Sequence, residues 1–203
     1  PDANLSADFP FSGPSAPKAI SVAYWMKLES LPLAGTTSDP FSKIDSTNLK
    51  ISIAHMVNEV GMIGFLAGRN NGTNYQVVMS AASERVTAGK WYHVVMTYKD
   101  SDRSYRINVW DADTATLVTN KTGTTTNILS VTDAGVGVGA RCDAAEPHYF
   151  DGLLDEMVVF NDVLTEPEIA QIRDLRQAVE VGQSARGTGV PGTEQPTSYV
   201  QRS

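Results

Sequence analysis

The 203 residues carry 16 Lys and Arg against 23 Asp and Glu, a formal charge of −7. That balance points away from nucleic acid, which needs a clustered basic face, and no run of 18 apolar residues exists to cross a membrane as a helix. A chain of this length buries roughly two thirds or more of its unfolded surface, so it needs neither a disulfide nor a metal to fold; the single cysteine, Cys142, permits no intrachain disulfide.

Pro1 to Phe11 show neither the basic start nor the apolar stretch of a signal peptide. A removed signal, a fragment, or synthesis in a cytoplasm each fit, and Pro1 suits trimming of an initiator methionine. Residues 20 to 28 then alternate, with Ile20, Val22, Tyr24, Met26 and Leu28 on one face and Ser21, Ala23, Trp25 and Lys27 on the other. Period 2 predicts a half-buried strand. Leu49, Ile51, Ile53, His55 and Val57 repeat the pattern, as do Tyr75, Val77 and Met79, then Tyr92 to Tyr98, then Tyr105, Ile107 and Val109. Val136 and Val138, set among Gly135, Gly137 and Gly139, predict a strand closely approached by another group. Leu153 to Phe160 is apolar on both phases except at Asp155 and Glu156, which predicts a central strand covered on both faces. Short alternating strands with no helix before residue 165 imply two stacked antiparallel sheets.

A short helix closes this region. Thr165 is placed as its N-cap and Glu168 as the capping-box partner, with Leu164 and Ile169 positioned as a hydrophobic staple. Residues 182 to 203 change to Gly, Ser, Thr, Gln and Pro, a composition that cannot bury enough surface to fold alone. The expected organisation is one domain over 1 to 181 and a tail over 182 to 203. Order in the tail requires a partner, itself or another protein, with Tyr199 and Val200 as the apolar anchors.

Three blocks carry a resemblance. Ala19 to Lys27, Gly89 to Tyr98 (GKWYHVVMTY) and Tyr149 to Leu175 (YFDGLLDEMVVFNDVLTEPEIAQIRDL) stand in the order of a laminin-G-like domain. The chain resembles this group of the concanavalin A-like jelly-roll superfamily. The resemblance implies an all-β fold, a two-sheet antiparallel jelly-roll sandwich with one short C-terminal helix. Relatives usually have a short hairpin where this chain has the longer stretch Asp100 to Gly123.

Glycoside hydrolases on this fold place carboxylates in E-x-D-x-x-E or E-x-D-x-E patterns. No such pattern occurs here, and His55, His93 and His148 lack zinc spacing. The expectation is no enzyme, with His55 and His93 as structural side chains. The resemblance implies one possible cofactor, a structural calcium held by Asp155 with help near Asp8; Asp111 and Asp113 offer a second D-x-D pair. For binding, Ser104, Arg106, Asn108 and Trp110 should face outward, and Arg106, Asn108 and Trp110 combine an aromatic plane with hydrogen-bonding groups suited to a sugar or a protein surface. Asn70, Asn71, Arg141, His148 and Tyr149 form a second loop candidate. The expected function is non-catalytic recognition or adhesion, binding a glycan or protein surface outside the cell. The alternative is a decoration or fibre component of a phage or other large particle, assembled through the tail and displayed on its surface.

Overall fold

In the computed structural model, residues 9–45, 50–68, 75–141 and 148–174 are described. The alternating run after Lys18 forms β1 (Ala19–Leu28), followed by β2 (Thr37–Ser38), β3 (Phe41–Asp45), β4 (Lys50–Asn58), β5 (Ile63–Ala67) and β6 (Gln76–Met79). Then come β7 (Trp91–Lys99), β8 (Ser104–Asp111), β9 (Thr116–Thr124), β10 (Gly137–Val138) and β11 (Gly152–Phe160). A helix, α1, covers 166–174. The chain divides into two units, Pro1–Thr165 and Glu166–Ser203. The first unit holds every strand named here.

Two antiparallel sheets make the sandwich. One runs in the order β11, β1, β7, β8, β9; the other runs β10, β3, β4, β5, β6, with β2 paired to β4. Their facing sides fill the core. Ile20, Val22, Tyr24, Met26 and Leu28 of β1 are fully buried beside Val94, Met96 and Tyr98 of β7 and Ile107 and Val109 of β8. Phe41, Ile53, Val57, Ile63 and Phe65 close the core from the other sheet. The inward phase read from period 2 therefore holds for β1, β7 and β8, but β1 and β7 are not half-buried, since His93, Val95 and Thr97 on the outer phase of β7 are buried as well. The opposite face of β1 is also covered at Ser21, Ala23 and Trp25, because the chain returns across it: the Ser21 hydroxyl donates to the Asp162 carbonyl at 2.7 Å and accepts from the Leu164 amide at 2.9 Å.

Four expectations need correction. First, β11 is an edge strand, and Leu153 and Val158 are half exposed. Its apolar run on both phases comes from a bulge: Ala23 opposes Val158 while Trp25 opposes Asp155, and Glu156 sits at φ 49°. The extra residue flips the phase, so Leu154, Met157 and Val159 all reach the core. Second, β6 is also an edge strand and buries Val78, leaving Tyr75 and Val77 about half exposed. Third, a register shift between β3 and β4 turns Ile51 away from Ile53 and into a separate cluster with Ile44, Ala54, Met56 and Leu66. Fourth, the stretch Asp100 to Gly123 is a β8–β9 hairpin, in which Lys121 crosses to the facing sheet and donates to the Met79 carbonyl at 2.7 Å.

Candidate functional site

The first unit has an open cleft of about 410 Å³, walled by 30–38 on one side and 148–151 on the other. Between β1 and β2 the sequence SLPLAGT makes a tight turn. Gly35 takes φ 77°, the left-handed third position that suits glycine, and the Thr36 amide and hydroxyl both donate to the Leu33 carbonyl at 2.9 and 2.7 Å. The turn pushes Leu33 outward until it is 80% exposed. On the other wall the extended backbone alternates its side chains. Phe150 packs against the core and its amide donates to the Gly139 carbonyl. Tyr149 consequently faces solvent, 73% exposed.

Hydrogen bonds tie the two walls at both ends. The Glu29 amide donates to the Asp151 carbonyl and the Asp39 amide to the His148 carbonyl, each at 2.9 Å. The Ser30 hydroxyl donates to Asp151 Oδ2 at 2.5 Å, and His148 Nδ1 lies 2.8 Å from Thr37 Oγ1. Beneath them Asp39 is fully buried, its Oδ2 accepting from Arg141 Nε at 2.9 Å. Burial raises the Asp39 carboxyl, and the Arg141 charge pulls it back down. Ser38 lines the cleft only 3% exposed, and its hydroxyl has no partner among the described residues. A buried hydroxyl left so costs about 1–3 kcal/mol until water or a ligand supplies a partner.

Arg106, Asn108 and Trp110 take alternate positions on the outer face of β8, as the phase predicts, opposite Thr97, Val95 and His93. Asn108 is recessed at 7% exposure, Trp110 is half-buried, and Arg106 Nη1 donates to Asn120 Oδ1 at 2.9 Å. Of the loop candidates, His148 and Tyr149 line the cleft and Arg141 sits behind it through Asp39. Asn70, Asn71, Cys142, Asp8, Tyr199 and Val200 lie outside the described residues. Ser30, Leu33, Thr36, Ser38 and Asp151 escaped the sequence reading. Their signal was the LPLAG turn, which places a leucine where a loop normally carries a polar residue.

His55 and His93 are buried strand residues. Desolvation pushes His55 down to about 3, and its ring lies against Tyr24 and Phe41. The His93 ring lies 5.1 Å from the Trp25 ring, tilted by 51°. Of the two residues expected to hold calcium, Asp155 lies in the described part of the chain: it is exposed, and its Oδ1 accepts from the Glu156 amide inside the bulge. The Asp111 and Asp113 pair is a turn, since Asp111 Oδ1 accepts the Asp113 and Thr114 amides and Oδ2 pairs with Lys90. Among the described residues no three His, Cys, Asp or Glu gather as a metal-holding group, and no helix is long and apolar enough to cross a membrane.

The family model of the concanavalin A-like lectin/glucanases superfamily matches residues 3–170. The chain belongs to this superfamily. No curated protein matches the sequence. Among solved structures, this superfamily member is similar to the CBM40 of the Ruminococcus gnavus IT-sialidase, with TM-score 0.58, 15% identity, and 76% and 82% of the two chains covered. It is similar to a SAP-like pentraxin of Limulus polyphemus, with TM-score 0.51, 15% identity, and 75% and 68% covered. It also resembles the NanB sialidase of Streptococcus pneumoniae, with TM-score 0.56 and 16% identity, where 76% of this chain corresponds to 24% of that one. These likenesses show the jelly-roll fold. The Ruminococcus gnavus module is also known bound to α2,3- and α2,6-sialyllactose.

Proposed function

We propose that this chain is a non-catalytic glycan-binding module, acting outside the cell, and that the cleft between 30–38 and 148–151 holds the sugar. One observation carries the reading: Tyr149 and Leu33, 73% and 80% exposed, are large apolar side chains left in water on a cleft lined with hydroxyls and a carboxylate. Apolar surface joined to a few placed polar groups is the usual build of a small-ligand site, and an aromatic plane suits the C–H face of a sugar ring. Similarity to carbohydrate-binding modules supports the same reading. Absence of a glycosidase carboxylate pattern supports binding without turnover, and release of reducing ends from a panel of glucans, galactans and alginates would overturn it.

The test is a glycan array followed by titration in solution, with Tyr149→Ala beside the unmodified chain. We expect binding that the substitution reduces at least tenfold while the melting temperature stays unchanged. A chain that binds no glycan overturns the reading. The β8 face with Arg106, Asn108 and Trp110 is the second location for the same ligand, supported by its exposed Arg106 to Asn120 pair; binding lost in Trp110→Ala and kept in Tyr149→Ala would favour it.

A further inference from the structure

We infer that the cleft selects an uncharged sugar and rejects sialic acid, an inference that rests on the glycan-binding reading above. Recognition of a carboxylate calls for an Arg or Lys, or for several converging N–H donors. Among the described residues lining the cleft none is Lys or Arg. The neighbouring cation, Arg141, has its Nε 2.9 Å from the fully buried Asp39, and its own side chain is only 12% exposed. Its charge is already matched behind the cleft wall.

Three of the groups that line the cleft are acceptors, set beside a Tyr149 phenol that can also donate and a His148 ring whose Nδ1 is held by Thr37. Asp151 presents a carboxylate at the rim. Ser30 spends its hydroxyl proton on Asp151, and Thr36 spends its own on the Leu33 carbonyl. Both oxygens are left with lone pairs only. Acceptors want donors, and neighbouring sugar hydroxyls supply them: two adjacent O–H groups match one carboxylate. Ser38, buried and without a partner among the described residues, adds one further position for a ligand hydroxyl.

Charge acts in the same direction. An acidic sugar would bring its carboxylate toward Asp151, with like-charge repulsion strengthened as water leaves the cleft. The whole chain carries −7. The sialyllactose complexes of the Ruminococcus gnavus module therefore share a fold with this chain, and the cleft chemistry assigns a different ligand class.

The test uses the full chain at pH 7.5, with an array of neutral oligosaccharides and their sialylated counterparts, then calorimetry on lactose, the best neutral binder and both sialyllactoses. Neutral glycans should bind at least tenfold more tightly than the sialylated forms. Asp151→Asn should weaken the neutral ligand fivefold or more with an unchanged melting temperature, and Ser38→Ala should weaken it less. Sialyllactose bound more tightly than neutral glycans, in a manner sensitive to Tyr149→Ala, would overturn the selectivity and leave the glycan reading intact. Neutral binding indifferent to Tyr149→Ala and Asp151→Asn would overturn the cleft. Failure of every glycan to bind would overturn the glycan reading and this inference together.

Discussion

Gly152 lies so close to Lys27 that a Cβ built on it would stand 2.2 Å from the Lys27 carbonyl oxygen and 2.9 Å from Leu28 Cα. The glycine of the Phe150-x-Gly152 pair is thus required by contact with β1, where it opposes Leu28. Its φ of 156° is also a region that side chains rarely occupy.

Gly152→Ala should therefore destabilise the fold by more than the ~1–3 kcal/mol of a strained backbone position alone, because the clash is with backbone and has no flexible end to move. Chemical denaturation measures the loss. A variant as stable as the parent would show that β11 can slide away from β1 at no cost.

Thr165 immediately precedes α1, and the two residues expected to staple its start, Leu164 and Ile169, are both buried. Thr165→Ala should cost about 1 kcal/mol, the usual loss of a side-chain cap, with circular dichroism otherwise unchanged. Thr165→Ser, which keeps the hydroxyl, should restore most of it.

His55 makes stability fall in acid. Its folded pKa, lowered by desolvation to about 3, lies below the unfolded value of about 6.5, so the unfolded chain takes up the proton first. The stabilising share of neutral His55 is complete above pH 6.5 and is lost by about 1.4 kcal/mol per pH unit as pH falls toward 3. Asp39 acts with the opposite sign, since burial raises its carboxyl. Unfolding free energies measured from pH 7 to pH 4 should show a shallower slope for His55→Phe than for the parent. Identical slopes would assign the acid sensitivity to other groups.

Calcium remains a proposal, with Asp155 and Asp8 as its ligands. Such an ion would raise stability by mass action, by about 2.7 kcal/mol at a hundredfold excess over its dissociation constant. The measurement is the melting temperature of EDTA-treated protein with and without added calcium. Asp155→Asn should abolish any rise; equal midpoints without the substitution remove the ion.

The sandwich was largely legible in the residues, because alternating apolar positions in β1, β7 and β8 mark the phase that enters the core, although β1 and β7 are buried on the other phase too. Bulges hid the rest. One extra residue at Glu156 erased the alternation of β11, which therefore read as a central strand, and β9 escaped because its threonines and asparagine are polar on a mostly exposed edge. Lys43 is fully buried, its ammonium held by the Thr132 and Ala134 carbonyls, a fate no charge pattern announces. The cleft was half legible. Tyr149 and His148 were visible as polar-aromatic loop residues, whereas Leu33 and Ser38 become part of a cleft only when residues more than a hundred positions later are laid beside them.

The placement of β1 bears on when the protein becomes competent during its synthesis. Its ladder partners are β7 and β11, so the strand leaving the ribosome early waits for residues 91–99 and then for 152–160 before its backbone is paired. Such distant pairing makes for slow closure. The two cleft walls meet through contacts such as Ser30 with Asp151, which form only once that closing strand has arrived. A nascent or truncated chain that stops before residue 148 can present Leu33 and Thr36 but has no opposite wall, so the cleft is complete only once translation and folding have both run to the end of the sandwich.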